Sequence, residues 1–175
     1  LFLQSISARF LKTNPEPEQL IVFDAKGDMI PLLAAMGLRP DMDQEDLPFY
    51  ILNPFDTRCS DWNLGEAVEG PGMVNALAAL LVPEEPAATA PYFAQSAQNI
   101  VRGVIMAMNE AQPQNWSLRD LLCALQSKET IRRLTLRFPP ASAVVQRYLD
   151  DQKHIFGVLS TIATKLGKFE AVAAL

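Results

Sequence analysis

Apolar positions along the chain follow two different rhythms. At the start, Leu3, Ile6, Phe10 and Leu11 share one helical face, and Asn14-Pro15-Glu16-Pro17 ends that helix because proline lacks the amide donor and clashes with the preceding turn. Leu20-Ile21-Val22-Phe23 is a continuous apolar run rich in β-branching, the pattern of a strand buried on both faces of a parallel sheet. Asp24-Ala25-Lys26-Gly27-Asp28 follows directly. The apolar stretch from Met29 to Met36, closed by Gly37, predicts a helix with a glycine C-cap. Beyond the polar residues 41–46, Phe49-Tyr50-Ile51-Leu52 predicts a second strand. Helix, strand, helix, strand is an α/β order.

After Asn53-Pro54-Phe55 the rhythm changes. Residues 56–72 read as a loop with Gly65, Gly70, Pro71 and Gly72, and from Met73 onward every apolar pattern has a helical period. Met73 to Val82 predicts a short helix stopped by Pro83-Glu84-Glu85-Pro86. Pro91 suits the first position of the next, which carries Ile100, Val101, Val104, Ile105 and Met108 on one face. Ser117 and Asp120 form a capping-box variant ahead of Leu118, Leu121, Leu122 and Leu125. Ser127 caps a helix through Arg137, stopped by Pro139-Pro140. A helix from Ser142 carries Val144, Val145, Tyr148 and Leu149, and a last one from about Lys153 repeats Ile155, Val158, Leu159, Ile162, Leu166, Phe169 and Val172. The chain therefore divides near residue 70 into an α/β piece, 1–70, and an all-helical piece, 71–175. No repeat of fixed period marks a solenoid.

Composition narrows the chemistry. Of 175 residues, 49% are hydrophobic and 20% charged, with mean hydropathy +0.08, which predicts a folded chain. One histidine, two cysteines and eight thinly spread glycines exclude a His-Cys zinc site, a disulfide framework and a phosphate-cradling glycine loop. They also leave a Ser-His-Asp triad no choice of histidine. Two cysteines without a signal peptide suit a reducing cytoplasm. No apolar run approaches the roughly 18 residues that a bilayer span needs. The absence of an initiator methionine and the apolar periodic stretch at Leu175 predict a segment of a longer protein.

The net charge of −5 and pI near 4.9 argue against a globally cationic nucleic-acid binder, but the total conceals a division. Residues 1–115 hold six Lys and Arg against fifteen Asp and Glu, whereas 116–175 hold nine against five. In the basic half, Arg132, Arg133 and Arg137, with Arg119, Lys128, Arg147 and Lys153, form either a solvated helix surface or a patch that meets phosphate or an acidic protein.

A Walker A loop needs G-x-x-x-x-G-K-[S/T] so that backbone amides wrap the phosphates while the lysine neutralises them. Gly167-Lys168 is followed by Phe169, and Ile162 stands where the first glycine belongs, so the chain has no such loop. Leu20 to Asp24 is the only approach to a Walker B strand, and Ala25 follows it. No residue is assigned a catalytic or metal-binding role, and ATP hydrolysis by this chain alone is not expected. Asp24, Lys26 and Asp28 lie at the carboxyl end of the expected strand, where open α/β sheets place ligands. They either help hold a nucleotide or a neighbouring subunit, or form a turn in which Gly27 relieves strain and Asp28 caps the next helix. His154 reads as a surface or capping residue. Trp62 and Trp116 read as anchors of a loop and a helix start.

The order of these motifs resembles a known family. Leu20-Ile-Val-Phe-Asp24-Ala-Lys26-Gly27-Asp28, then Leu52-Asn53-Pro54-Phe55-Asp56, then Asp61-Trp62-Asn63-Leu64 are similar to the coupling ATPases of conjugation and type IV secretion, of TraD/TraG type, which are related to the FtsK and HerA DNA motors. Ala25 stands where that family usually has proline. Pro91-Tyr92-Phe93-Ala94 and Trp116-Ser-Leu-Arg-Asp120-Leu-Leu resemble the opening of its inserted helical domain. The resemblance implies a mainly α chain in which an all-α domain is attached to a partial RecA-like parallel sheet. It implies a parent that is a homo-hexameric, inner-membrane-anchored P-loop ATPase using ATP and magnesium, with this segment on the cytoplasmic side. That parent would pass relaxase-bound DNA or effector proteins to the secretion channel. On this resemblance the basic helical residues Arg132, Arg133, Arg137, Arg147 and Lys153 meet substrate. Two alternatives stay open: a protein-docking helical module without DNA binding, and a segment of an FtsK/HerA-type translocase.

Overall fold

Helices account for all the regular structure in the computed structural model, which describes residues 21–35, 49–53, 55–60, 63–84 and 91–173. The helix expected at 1–12, Leu20, Gly37 and Trp62 lie outside the described residues. The chain divides into two compact units, Leu1–Asp61 and Trp62–Leu175.

In the first unit α1 spans Met29–Ala35, as the apolar stretch predicts. The sheet expected beside it is not formed among the described residues, because neither Ile21–Phe23 nor Phe49–Leu52 lies in a strand. The physical reason is the kind of hydrogen bond each element needs. A helix satisfies its amides within itself, whereas a strand must find a second strand alongside. Ile21 and Phe23 are 96% and 93% exposed, although their pattern is that of a doubly buried strand. Local polar bonds order this unit instead: Asn53 Oδ1 accepts from the Phe55 amide at 3.1 Å, and the Ser60 amide donates to Ile51 O at 2.8 Å.

The second unit is a helical bundle built around one long element. It runs α2 (Leu64–Ala67), α3 (Gly70–Leu81), α4 (Pro91–Ala111), α5 (Leu118–Ala124), α6 (Lys128–Thr135), α7 (Pro139–Leu149) and α8 (Ile155–Leu166). A 3₁₀ turn at Gly167–Phe169 and the short α9 (Glu170–Ala173) follow. Helix α4 packs against α3, α5, α6, α7 and α8. Ile100, Val101, Val104, Ile105 and Met108 are all buried on it, as their spacing predicts. Fully burying an aliphatic side chain of this size contributes roughly 1.5–3 kcal/mol, so this stripe is a substantial part of the unit's stability.

Close helix approach depends on small residues. A Cβ built on Gly103 of α4 would stand 2.1 Å from Val145 Cγ2 and 3.2 Å from the Ala141 carbonyl oxygen, both on α7. A Cβ on Gly157 of α8 would stand 2.6 Å from the Phe93 ring. These two positions leave room for α7 and for Phe93 beside their helices.

Side-chain caps open α2, α5 and α6. Ser117 Oγ accepts from the Asp120 amide and Asp120 Oδ2 accepts from the Ser117 amide, completing the predicted box. Ser127 Oγ accepts from the Thr130 amide at 3.1 Å. The prolines behave differently from expectation. Pro139 and Pro140 open α7 in place of merely stopping α6, and α3 begins at Gly70 with Pro71 in its first turn, because an orphan amide position loses nothing to proline. The last expected helix is divided at Gly167.

A polar clasp joins residues 63–69 to the far end of α4 and the loop after it. Asn63 Nδ2 donates to Gln114 O at 3.1 Å, and Asn109 Nδ2 donates to Val68 O at 3.2 Å. Trp116, 3% exposed, donates its indole N–H to Asn109 Oδ1 at 2.7 Å. Gly65 fits because a Cβ there would lie about 3.0 Å from the backbone of Gln114 and Trp116. Gln114 itself takes a left-handed φ of 60°, an uncommon conformation for a residue with a Cβ. Trp116 thus anchors a helix start, as read from the sequence.

Candidate nucleic-acid interface

The basic residues of the second half are separated by what each one touches. On α6, Arg132 forms an ion pair with Asp150 just past the end of α7. Both partners are about half exposed, so the pair sets geometry more than it stabilises the fold. Arg147 on α7 lays its guanidinium 4.5 Å from the Tyr148 ring centroid and donates to the Tyr148 hydroxyl, which also accepts from Asn99 Nδ2 at 2.9 Å. Lys153 is exposed in the turn before α8, where its amide donates to Asp151 Oδ1 at 3.1 Å.

Arg133 and Arg137 are arranged otherwise. Both are exposed and line one groove of about 320 Å³ together with Ala111, Ala124, Thr130, Leu134 and Phe138. Among the described residues neither arginine takes part in an ion pair, and no carboxylate lines the groove. Helix α6 ends with Arg132 and Arg133 in its last turn, where cations complement the helix dipole. The five predicted positions are therefore not one uniform patch. Arg133 and Arg137 share a groove, while Arg132 and Arg147 are engaged with Asp150 and Tyr148. Phe138 and Thr130 of the groove were not singled out by sequence. The legible signal was an aromatic residue directly after Arg137 and before two prolines.

His154 occupies the N-cap position of α8 without capping it through its side chain. Its Nδ1 lies 2.9 Å from Asp151 Oδ2, which also accepts from the Tyr92 hydroxyl at 3.0 Å. Asp151 closes the turn ahead of the helix, its Oδ1 accepting from the Lys153 and His154 amides. The His154 contact, followed by the Tyr92 hydroxyl, holds the Asp151 carboxyl below its ordinary value, and the same bond pushes the Tyr92 hydroxyl up.

In the first unit, Asp24 is the residue that organises the turn before α1. Its Oδ2 accepts from the Met29 amide at 2.9 Å and its Oδ1 from the Gly27 and Asp28 amides at 2.9 and 3.2 Å. These donors, Met29 first, hold its carboxyl below the ordinary value. Asp24, not Asp28, thus supplies the side-chain cap, and Gly27 takes the expected positive φ of 75°. With both Asp24 oxygens occupied by the turn, Lys26 and Asp28 are the exposed polar groups it presents. Among the described residues no group of three His, Cys, Asp or Glu is placed to hold a metal ion, and no helix is long and apolar enough to cross a membrane.

The family model for the type IV secretion-system coupling protein DNA-binding domain matches residues 3–173. The chain belongs to this family. No curated protein and no solved structure matches it significantly. Membership gives the chain a coarse role, that of a DNA-binding domain of a type IV coupling protein, and it agrees with the resemblance carried by the Asp24, Asn53 and Trp62 motifs. Within this coupling-protein domain, Arg133 and Arg137 are thus two exposed cations on one groove, outside any ion pair among the described residues.

Proposed function

We propose that this chain is the substrate-contacting segment of a type IV coupling ATPase and that its basic helical surface meets DNA phosphates. Arg133 and Arg137 make the direct contacts. Arg132, Arg147 and Lys153 extend the positive field towards the turn before α8. The observation that carries this reading is the pair of exposed arginines on a groove without a carboxylate, in a chain of a DNA-binding family. Phosphate contacts of this kind give affinity that is independent of sequence and falls with salt.

The parent on this reading is a homo-hexameric, inner-membrane-anchored P-loop ATPase that uses ATP and magnesium and hands relaxase-bound DNA or effector proteins to the secretion channel. Residues 1–70 contribute a partial RecA-like core whose strands are completed by others. Lys26 and Asp28 face a nucleotide or neighbouring subunit, and Asp24 holds their turn. Residues 71–175 are the inserted helical domain on the cytoplasmic side.

Fluorescence anisotropy of labelled DNA with the full 175-residue chain, at low and raised salt, tests the DNA contact. Binding is expected to weaken with salt, and Arg133→Glu with Arg137→Glu should lower affinity at least tenfold and flatten the salt slope by about one unit per lost phosphate contact. No binding at low salt, or indifference to the charge reversals, would sink this reading. A protein-docking role is favoured by one observation, the exposed Met73 and Leu80 on α3. Nuclease-insensitive capture of a purified relaxase, lost in Met73→Ser with Leu80→Ser, would support it.

A further inference from the structure

We infer that the groove of Arg133, Arg137 and Phe138 is a seat for one unpaired nucleotide, with the base on its apolar floor beside Phe138 and the adjoining phosphates on the two arginines. This rests on the DNA-binding reading above and adds to it the form of DNA that the groove selects.

Three features of the groove point the same way. Its lining is chemically divided: Ala111, Ala124, Leu134 and Phe138 are apolar, Thr130 offers one hydroxyl, and Arg133 and Arg137 supply the only charges. A ligand that matches it has an apolar, flat part joined to an anionic part, which a base with its phosphates has and a duplex exterior lacks, since paired bases are stacked away from the surface. At about 320 Å³ the groove is at the lower end of small-ligand sites, a size suited to one base and not to a helix of nucleic acid. Finally, the backbone that carries Phe138 is set before any ligand arrives. It is half-buried and extended at φ −125°, its amide donates to Thr135 O at 2.9 Å, and Pro139 follows at once. A ring carried on a backbone set in this way and half-buried at the groove offers a stacking surface, and stacking on an aromatic side chain tolerates any base. Glu110 and Glu129 are exposed neighbours of lining residues in sequence, and neither lines the groove.

The test compares the full chain with labelled oligothymidylate, the same strand bearing an abasic site at every position, and a duplex of equal length. Single-stranded DNA is expected to bind more tightly than duplex. Phe138→Leu, which keeps an apolar residue of similar bulk ahead of the prolines, should weaken oligothymidylate binding roughly tenfold while leaving duplex and abasic binding unchanged. Phe138→Tyr should stay near the parent protein, which separates loss of stacking from loss of folding. Equal affinity for single strand and duplex, with Phe138→Leu altering neither while Arg133→Glu weakens both, would overturn the inference and leave the phosphate reading standing. No DNA binding at low salt would overturn both. Displacement of nothing but a bound oligoglutamate by Phe138→Leu would assign the groove to an acidic peptide and likewise overturn it.

Discussion

The two units of this chain carry equally apolar patterns and use them in opposite ways. In the helical unit, residues such as Ile100, Val104 and Ile162 are buried, and the caps at Ser117 and Ser127 are each closed by a neighbour three residues away. In the first unit, Ile21, Phe23 and Leu52 remain exposed, and order comes from carboxylate-held turns at Asp24 and Asp56. A helical stripe needs only a second helix across it, and this chain supplies several. A parallel strand needs another strand on its flank, which is a demand that a single apolar run cannot meet. The difference teaches that hydrophobic periodicity states what a segment must bury and leaves open whether its partner is at hand.

The strongest way to break this contrast is to crowd a glycine in each unit. Gly103→Val should destabilise the helical unit by about 3 kcal/mol, because the new side chain meets Val145 and Ala141 in a close-packed crossing. Gly27→Ala has no atom to strike and pays only for its positive φ, about 1 kcal/mol confined to the turn. Urea unfolding followed by helical circular dichroism should shift its midpoint for the first and not the second. A midpoint shift in Gly27→Ala as well would show that the two units share one cooperative transition.

Next in size is Asn109→Leu. It removes the acceptor of the Trp116 indole and the donor to Val68 O, and should cost about 2 kcal/mol while altering Trp116 emission. Smaller again is Ser117→Ala, about 1 kcal/mol from the helical transition. Its counterpart Asp24→Ala should move the amide resonances of Gly27, Asp28 and Met29 and leave that transition in place.

The smallest effect is a titration. Arg58 donates to both oxygens of Asp56 and holds that carboxyl at about 2, against an ordinary 3.8. A depressed carboxylate contributes order above its ordinary value and loses it as pH falls through the folded one, so the turn should loosen between pH 4 and 2. Asp151, also lowered, should release His154 and Tyr92 below the ordinary carboxylate range by the same sign. Carboxyl-carbon NMR should place Asp56 near 2 and return it towards 3.8 in Arg58→Ala. An unchanged value in that variant would show that the fork is not the cause.

What was legible in the sequence was local. Ser117 with Asp120, Ser127, Pro91 and the stripe on α4 all act within a few residues of themselves, so spacing alone announces them. The identity of the cap before α1 was not, because Asp24 reaches across five residues to Met29 while Asp28 sits in the more usual place. Pro139-Pro140 read as a stop and proved also to be a start. The basic cluster was visible as composition, but its division was not. The pairing of Arg132 with Asp150 spans eighteen positions, and only the packing of α6 on α7 brings it about.

The clasp at residues 63–69 has a mechanical consequence. The chain enters the helical unit at Asn63, and the first firm attachments it meets are Asn109, Gln114 and Trp116, at the far end of the longest helix. Tension applied through residue 62 would therefore be delivered to α4 directly, with α3 bypassed.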